Sequence, residues 1–347
     1  MLSDNDFVFG EGELKMSQNG KMHVGVQGIG TSKQELEFLV RHGVTHMDAA
    51  VSNTEVETLV RHKEEAAEQG VSLEMIHIGL SASITLAEDP QRDRDLESVC
   101  QTIENAGQAG IRGLNYNFCI LPHQRTESTP GRGSTTYSTF DLSKYDNQTL
   151  SPAGRVSRNE AFDRIGYFLE RVIPVAEQYQ VQMAAHFNDP PAPILRGVER
   201  WNYPVFNGLK RFVDLVDSPY NGFNFCLGTA SEGLEDPGTE IYDIVRYFGQ
   251  RKKIFNIHFR NIRGGLHHFQ EVWPDEGDVD MYQVAETLSQ VGYPYMLMPD
   301  HAPHHPDDVP PKGVSGRVRQ AWAFQFGYII AMIQAVERPG DKSVLTN

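Results

Sequence analysis

Apolar and polar positions along this chain follow two alternating rhythms. Short runs rich in β-branched and aromatic residues, at 22–26, 44–48, 71–78, 111–118, 181–185, 221–225, 254–258 and 293–298, read as buried strands. Between most of them, apolar residues recur three and four apart, the period of a helix packed on one face. Ser32-x-x-Glu35 is a capping-box pattern that opens the first helix, and Leu36, Leu39 and Val40 form its stripe. Further helices are expected over 54–69, 91–109, 160–179, 206–216, 238–250, 279–291 and 316–336. Leu96, Val99, Cys100 and Ile103 share one face of the 91–109 segment, so Cys100 reads as core. Phe162, Ile165, Phe168, Leu169 and Val172 do the same for 160–179, where Pro174 predicts a kink.

Eight strand–helix units with no break in composition predict the α/β class and a single (β/α)8 TIM barrel over 21–340, with long βα loops. Residues 1–20 show no period and read as an N-terminal arm. The polar excursion at 119–159 has the length of a lid, a binding loop or a disordered segment. Gly28-x-Gly30 follows the first strand, but the third glycine and the ribose-binding acid of a dinucleotide loop are missing.

Composition narrows the class. The chain has 347 residues, 39% hydrophobic and 22% charged, which suits a globular protein with an ample core. No apolar run nears the roughly 18 residues that suggest a bilayer span. The first residues lack the basic and apolar regions of a signal peptide, and Cys100, Cys119 and Cys226 give no even disulfide framework, so a cytoplasmic location is expected. With 31 basic against 46 acidic residues and a formal charge of −15, neither nucleic acid nor a membrane surface is an expected partner. A small anionic substrate is compatible with that charge, because a local cation dominates within a pocket. A homo-oligomer is equally compatible.

The candidate chemistry sits where strands end. Strands five to eight finish in His186, Cys226, His258 and Asp300, at separations of 40, 32 and 42 residues, each about one βα unit. Equivalent ends of consecutive barrel strands converge on the axis. Taken singly, each residue has an ordinary explanation: a hydrogen-bonded histidine, a small buried cysteine, an aspartate capping a loop. Together they form a metal-ligating set of imidazole, thiolate and carboxylate, suited to Mn²⁺, Fe²⁺, Co²⁺ or Zn²⁺. Arg260 and Asn261 follow His258 on the same lip, and a guanidinium there can grip a substrate carboxylate or form a surface ion pair. Asn117 ends strand four as a further substrate contact, and His301 beside Asp300 is a candidate general acid or base.

Several motifs carry a family resemblance. Arg92-Asp-Arg-Asp-Leu-Glu97, Gln101-Thr-Ile-x-Asn-Ala-Gly-x-Ala-Gly-Ile111, His186-x-x-Asp-Pro-Pro191, Asp217-Ser-Pro-Tyr-Asn-Gly222, Phe225-Cys226, His258-Phe-Arg-Asn261 and Pro299-Asp-His301 resemble the D-mannonate dehydratases of hexuronate catabolism. The resemblance runs in order from about residue 90 to 302 and implies a xylose-isomerase-like barrel. It also implies a divalent metal, usually Mn²⁺, on His186, Cys226, His258 and Asp300. The implied reaction removes water from D-mannonate, with Arg260 adding charge and His301 in acid/base work. Arg125, in His123-Gln-Arg-Thr126, stands where the family's Asp-Trp-Thr-Arg-Thr has its arginine, and becomes a further substrate contact. The chain departs from the pattern at Met298 and Ala302, where the family has arginine and glycine, and in Gly25-Val-Gln-Gly28. Arg317 or Gln320 stands where the family has a tyrosine. The metal set is intact while the substrate shell differs. Dehydration of a sugar acid is therefore the leading expectation, with isomerisation or epimerisation through the same enediolate, or binding without turnover, as alternatives.

Overall fold

Eight parallel strands close into a barrel in the computed structural model, which describes residues 21–337. They are β1 His23–Ile29, β2 His46–Ala50, β3 Ser72–His77, β4 Gly113–Asn117, β5 Gln182–His186, β6 Asn221–Cys226, β7 Ile254–His258 and β8 Met296–Met298. Each pairs with its neighbours in sequence, and β8 closes on β1. The fold is therefore the expected (β/α)8 barrel. The arm expected over 1–20 lies outside the described residues.

Strand parity decides which residues face the barrel interior. Met183, Ala185, Phe223, Phe225 and Ile257 join the large core between strands and helices. The alternate positions Ala184, Phe255, Met75 and Met296 form a separate small cluster, an apolar plug inside the barrel. Continuing that alternation along β5 and β6 brings His186 and Cys226 to the C-terminal rim. On β7 a register shift against Phe223 and Asn224 makes Phe255 an extra residue, after which Asn256 and His258 pair with Asn224 and Cys226. Cys226 pairs with His258, and His258 with Met298, two residues before Asp300.

The helices follow from their stripes. Lys33–Arg41 opens with the expected capping box, Ser32 accepting from the Glu35 amide. A second box, Ser157 with Glu160, opens Arg158–Tyr179, and that helix continues unbroken past Pro174. Cys100 is only half-buried, packed against the edge of the core. The last helix begins at Gln320 rather than near 316, because the Asp308 carboxylate accepts from the Gln320 and Ala321 amides. Among the described residues, no helix is long and apolar enough to cross a membrane.

The polar excursion is more ordered than its composition suggests. Glu127–Pro130 and Thr136–Asp141 form a hairpin. It pairs with a second hairpin, Ile262–Gly265 and His268–Glu271, that follows β7. The resulting four-stranded antiparallel sheet brings together at the mouth Arg125 and Glu271, which are 146 residues apart.

Candidate active site

Four side chains meet at the C-terminal mouth. Single ligand atoms of His186, Cys226, His258 and Asp300 all lie within 4.8 Å of one another. Cys226 Sγ is 3.5 Å from Asp300 Oδ2, and His258 Nδ1 is 3.4 Å from Asp300 Oδ1. Cys226, His258 and Asp300 are buried, and His186 is partly so.

The surrounding bonds suit a cation. His186 Nδ1 lies 2.7 Å from the Phe187 carbonyl, to which it donates as Nδ1–H, leaving Nε2 as a lone pair for a metal. Burial, only partly opposed by Asp300, holds this imidazole below its usual pKa, favouring the neutral ligand form. His258 Nδ1 is buried without a hydrogen-bond partner, and so is Asn224 Oδ1. The Asn224 amide sits 3.0 Å from His258 Nε2. Turning that amide over puts Oδ1 on an Nε2–H and frees the Nδ1 lone pair, which removes both orphans once an ion is bound. Cys226 Sγ accepts from the Thr229 amide at 3.3 Å, the Thr229 hydroxyl at 3.1 Å and Arg260 Nη2 at 3.5 Å. Burial opposes ionisation of Asp300, but His301, His258 and Arg260 outweigh it and hold its carboxyl well below the usual range. The residues present thus fit a divalent ion.

Around this set lies a shell of opposite charges. Arg260, 2% exposed, contacts Asp300 at 3.0 Å, Glu232 at 2.8 Å, and Asp189 and Glu271 at 3.2 Å. Arg125 bonds the same Asp189, Glu232 and Glu271. Gly228 permits the approach of Arg260, since a Cβ there would sit 2.6 Å from the guanidinium Nε. Burial, reinforced by Asp189, pushes the Glu232 carboxyl well above its usual pKa. Burial also disfavours the charged form of Glu271, yet His301, Arg125 and Arg260 hold it well below its usual value. Asp189, Glu232 and Glu271 lie close enough together to hold an ion, but two guanidinium groups already neutralise them.

Three residues expected to meet substrate are held by the protein's own groups. Arg260 was expected to hold a substrate carboxylate and Arg125 to contact substrate; in this structure the donors of both face the protein's own acids, and Arg260 also contacts Asp300 and Cys226. Asn261 was expected on the lip. Its Nδ2 donates to the Pro274 and Val279 carbonyls, and its Oδ1 accepts from the Ile262 and Val279 amides, which leaves nothing of the amide for a ligand. Asn117 pairs in register with His186 and accepts from Asn188 at 3.4 Å, with no bond from its own Nδ2 among the described residues. His301 stands at the rim, 41% exposed, with Nδ1 2.9 Å from Glu271 and Nε2 3.7 Å from Asp300. Burial opposes its charging, but Asp300 and Glu271 outweigh this and lift it to about 10.

Sequence reasoning assigned no role to Asp189, Thr229, Glu232, Glu271 or Gln27, whose Nε2 donates to Asp300 Oδ1 at 2.9 Å. Only Asp189 carried a signal, as part of His186-x-x-Asp189. The others reach the site from separate elements.

Comparison with known proteins now decides the family. The profile of the D-mannonate dehydratase (UxuA) family matches residues 142–340, more than half of the chain. The chain belongs to the D-mannonate dehydratase family. It is 29% identical over 287 residues to a mannonate dehydratase of Thermotoga petrophila, covering 71% of this chain and 77% of that one. A mannonate dehydratase of Enterococcus faecalis is 28% identical over 277 residues, covering 69% and 75%. The crystal structure of mannonate dehydratase from Streptococcus suis serotype 2 superposes with a TM-score of 0.80 at 25% identity, covering 92% and 95%. A D-tagatose 3-epimerase-like protein, with a TM-score of 0.60 at 15% identity over 91% of this chain and 98% of that one, shares the fold. As a UxuA-family member the protein is a hydro-lyase of the sugar-acid dehydratase class.

Proposed function

We propose that this family member removes water from a six-carbon sugar acid, D-mannonate or a close relative, to give the 2-keto-3-deoxy acid. The observation that carries the reading is the meeting of His186, Cys226, His258 and Asp300 at one point, in a UxuA-family chain. Those four side chains would hold a divalent ion, Mn²⁺ first among the candidates. The ion would supply positive charge against oxygens of the substrate near C2 and C3.

The chain's own residues divide the rest of the work. Loss of water across C2 and C3 needs a base for the C2 proton and an acid for the departing C3 hydroxyl. His301 would take the acid role; in support, its ring reaches the mouth and its Nδ1 lies 2.9 Å from Glu271. Arg260 holds Asp300, and through Glu271 it also steadies His301. Thr229 orients the Cys226 sulfur. Asn117, beside His186, offers its amide to a substrate hydroxyl.

Incubation of the Mn²⁺-loaded protein with a panel of hexonates tests the reading. A thiobarbituric-acid-positive product that disappears after EDTA treatment and returns with Mn²⁺ is expected. Carbonyl migration without loss of water would replace the reading by an isomerase, and tight metal binding without turnover on any hexonate would replace it by a binder.

A further inference from the structure

Arg317 differs from the two arginines already described. Arg125 and Arg260 lie within 4.0 Å of three and four carboxylates respectively. Arg317 has no ion-pair partner among the described residues. Its Nε donates to the Gln27 carbonyl, and its guanidinium stacks 4.7 Å from the Trp322 ring. Its two terminal amino groups have no hydrogen-bond acceptor among the described residues. Burial pulls its pKa down, only partly offset by Asp300 and Asp48, as for a cation short of a counter-ion.

The guanidinium lines a cavity of about 460 Å³ at the ends of β1–β3, together with Gln27, Gly28, Ser52 and His77. That volume falls in the range of small-molecule sites. The cavity adjoins the donor set: Gln27 holds Arg317 through its carbonyl and Asp300 through its side chain. Arg317 therefore stands one glutamine away from the proposed metal ligands. Its own chain segment is fixed to β1 and to the helix that follows it. The Ser315 amide donates to Glu35 at 2.9 Å, and the Ser315 hydroxyl donates to the Gly28 carbonyl at 3.3 Å. Gly28, at φ +62°, allows the close approach, since a Cβ there would lie 3.0 Å from Arg317 Nη2.

We propose that Arg317 anchors the substrate carboxylate in this cavity, with the carbon chain running from its guanidinium toward His186, Cys226, His258 and Asp300. A planar two-pronged donor without a protein partner matches a carboxylate, and the Trp322 stack keeps it in that plane. Ser52 and His77 face the hydroxyl-bearing carbons. The proposal rests on the sugar-acid reading above and deepens it, because it requires the substrate to bind as its anion.

Binding calorimetry with the full-length, Mn²⁺-loaded chain separates this from turnover. The probes are D-mannonate, D-gluconate and the neutral polyol D-mannitol. Arg317→Met should weaken both hexonates by ~100-fold while metal content and D-mannitol affinity stay within a few-fold of the parent. Arg317→Lys keeps the charge but loses the paired contact, so an intermediate loss is expected; it also serves if the methionine variant fails to fold. In turnover, KM should rise more than kcat falls, as for an anchor used alike by substrate and transition state. Unchanged hexonate affinity in either variant, an equal loss for hexonates and D-mannitol, or no hexonate binding by the parent would overturn the proposal. Hexonate binding that depends on Arg317 without any dehydration product would sink the hydro-lyase reading and leave the anchor standing.

Discussion

The two sides of the barrel mouth are built on opposite plans. Around the ends of β5–β8, charged groups are matched: Arg125 and Arg260 face Asp189, Glu232, Glu271 and Asp300, and His301 leans on Glu271. Across the mouth, Arg317 lines a cavity and has no acid partner among the described residues. On β2, Asp48 is fully buried, with one carboxylate oxygen unpartnered among the described residues. A closed shell of opposite charges fixes the donors before any ligand arrives. Groups left without partners are those a ligand completes. One side sets the geometry of the chemistry, and the other chooses what enters.

The matched side should be the more sensitive to loss of a charge. Arg125→Met leaves three buried carboxylates to Arg260 alone, and destabilisation of ~3–5 kcal/mol is expected in denaturant unfolding. A loss under ~1 kcal/mol would mean that the shell is not what holds this side. Next in size is Cys226→Ser. It should lower divalent-metal affinity by at least the ~10–100-fold that loss of an outer-shell partner costs, with melting of the metal-free chain nearly unchanged. Wild-type affinity in a metal titration would take Cys226 out of the donor set.

The last test probes the unmatched side. Burial lifts the Asp48 carboxyl from 3.8 to about 7, only partly opposed by the hydrogen bond from Asn115. The folded chain then keeps a proton that the unfolded chain releases near 3.8. This contribution to stability is therefore full below about pH 4 and lost as pH rises through about 7, by at most ~1.4 kcal/mol per pH unit. Asp48→Asn keeps the shape and removes the proton, so its advantage over the parent should grow across that window and then level off. Parallel stability curves for the two proteins would show that Asp48 does not titrate in this way.

How far the sequence reached follows from the range of each signal. The strands were legible because burial on both faces writes a compact apolar run into the sequence, and the first capping box because its partners are three residues apart. The hairpin sheet was not, because Thr136–Asp141 pairs with His268–Glu271, more than a hundred residues on. Arg260 and Asn261 looked alike as neighbours on one lip, yet one turns into the charge shell and the other into the hairpin backbone. Arg317 fell inside a helix expected from periodicity, and the Asp308 cap starts that helix three residues later.

The sequence by itself determined the barrel and the four strand ends that meet at its mouth, since a compact apolar run and the repeat length of a βα unit are local properties. Only the tertiary structure decided which charges meet. Ion pairing depends on distances of a few ångströms between residues that the chain order keeps far apart, and those distances exist only once the barrel has closed.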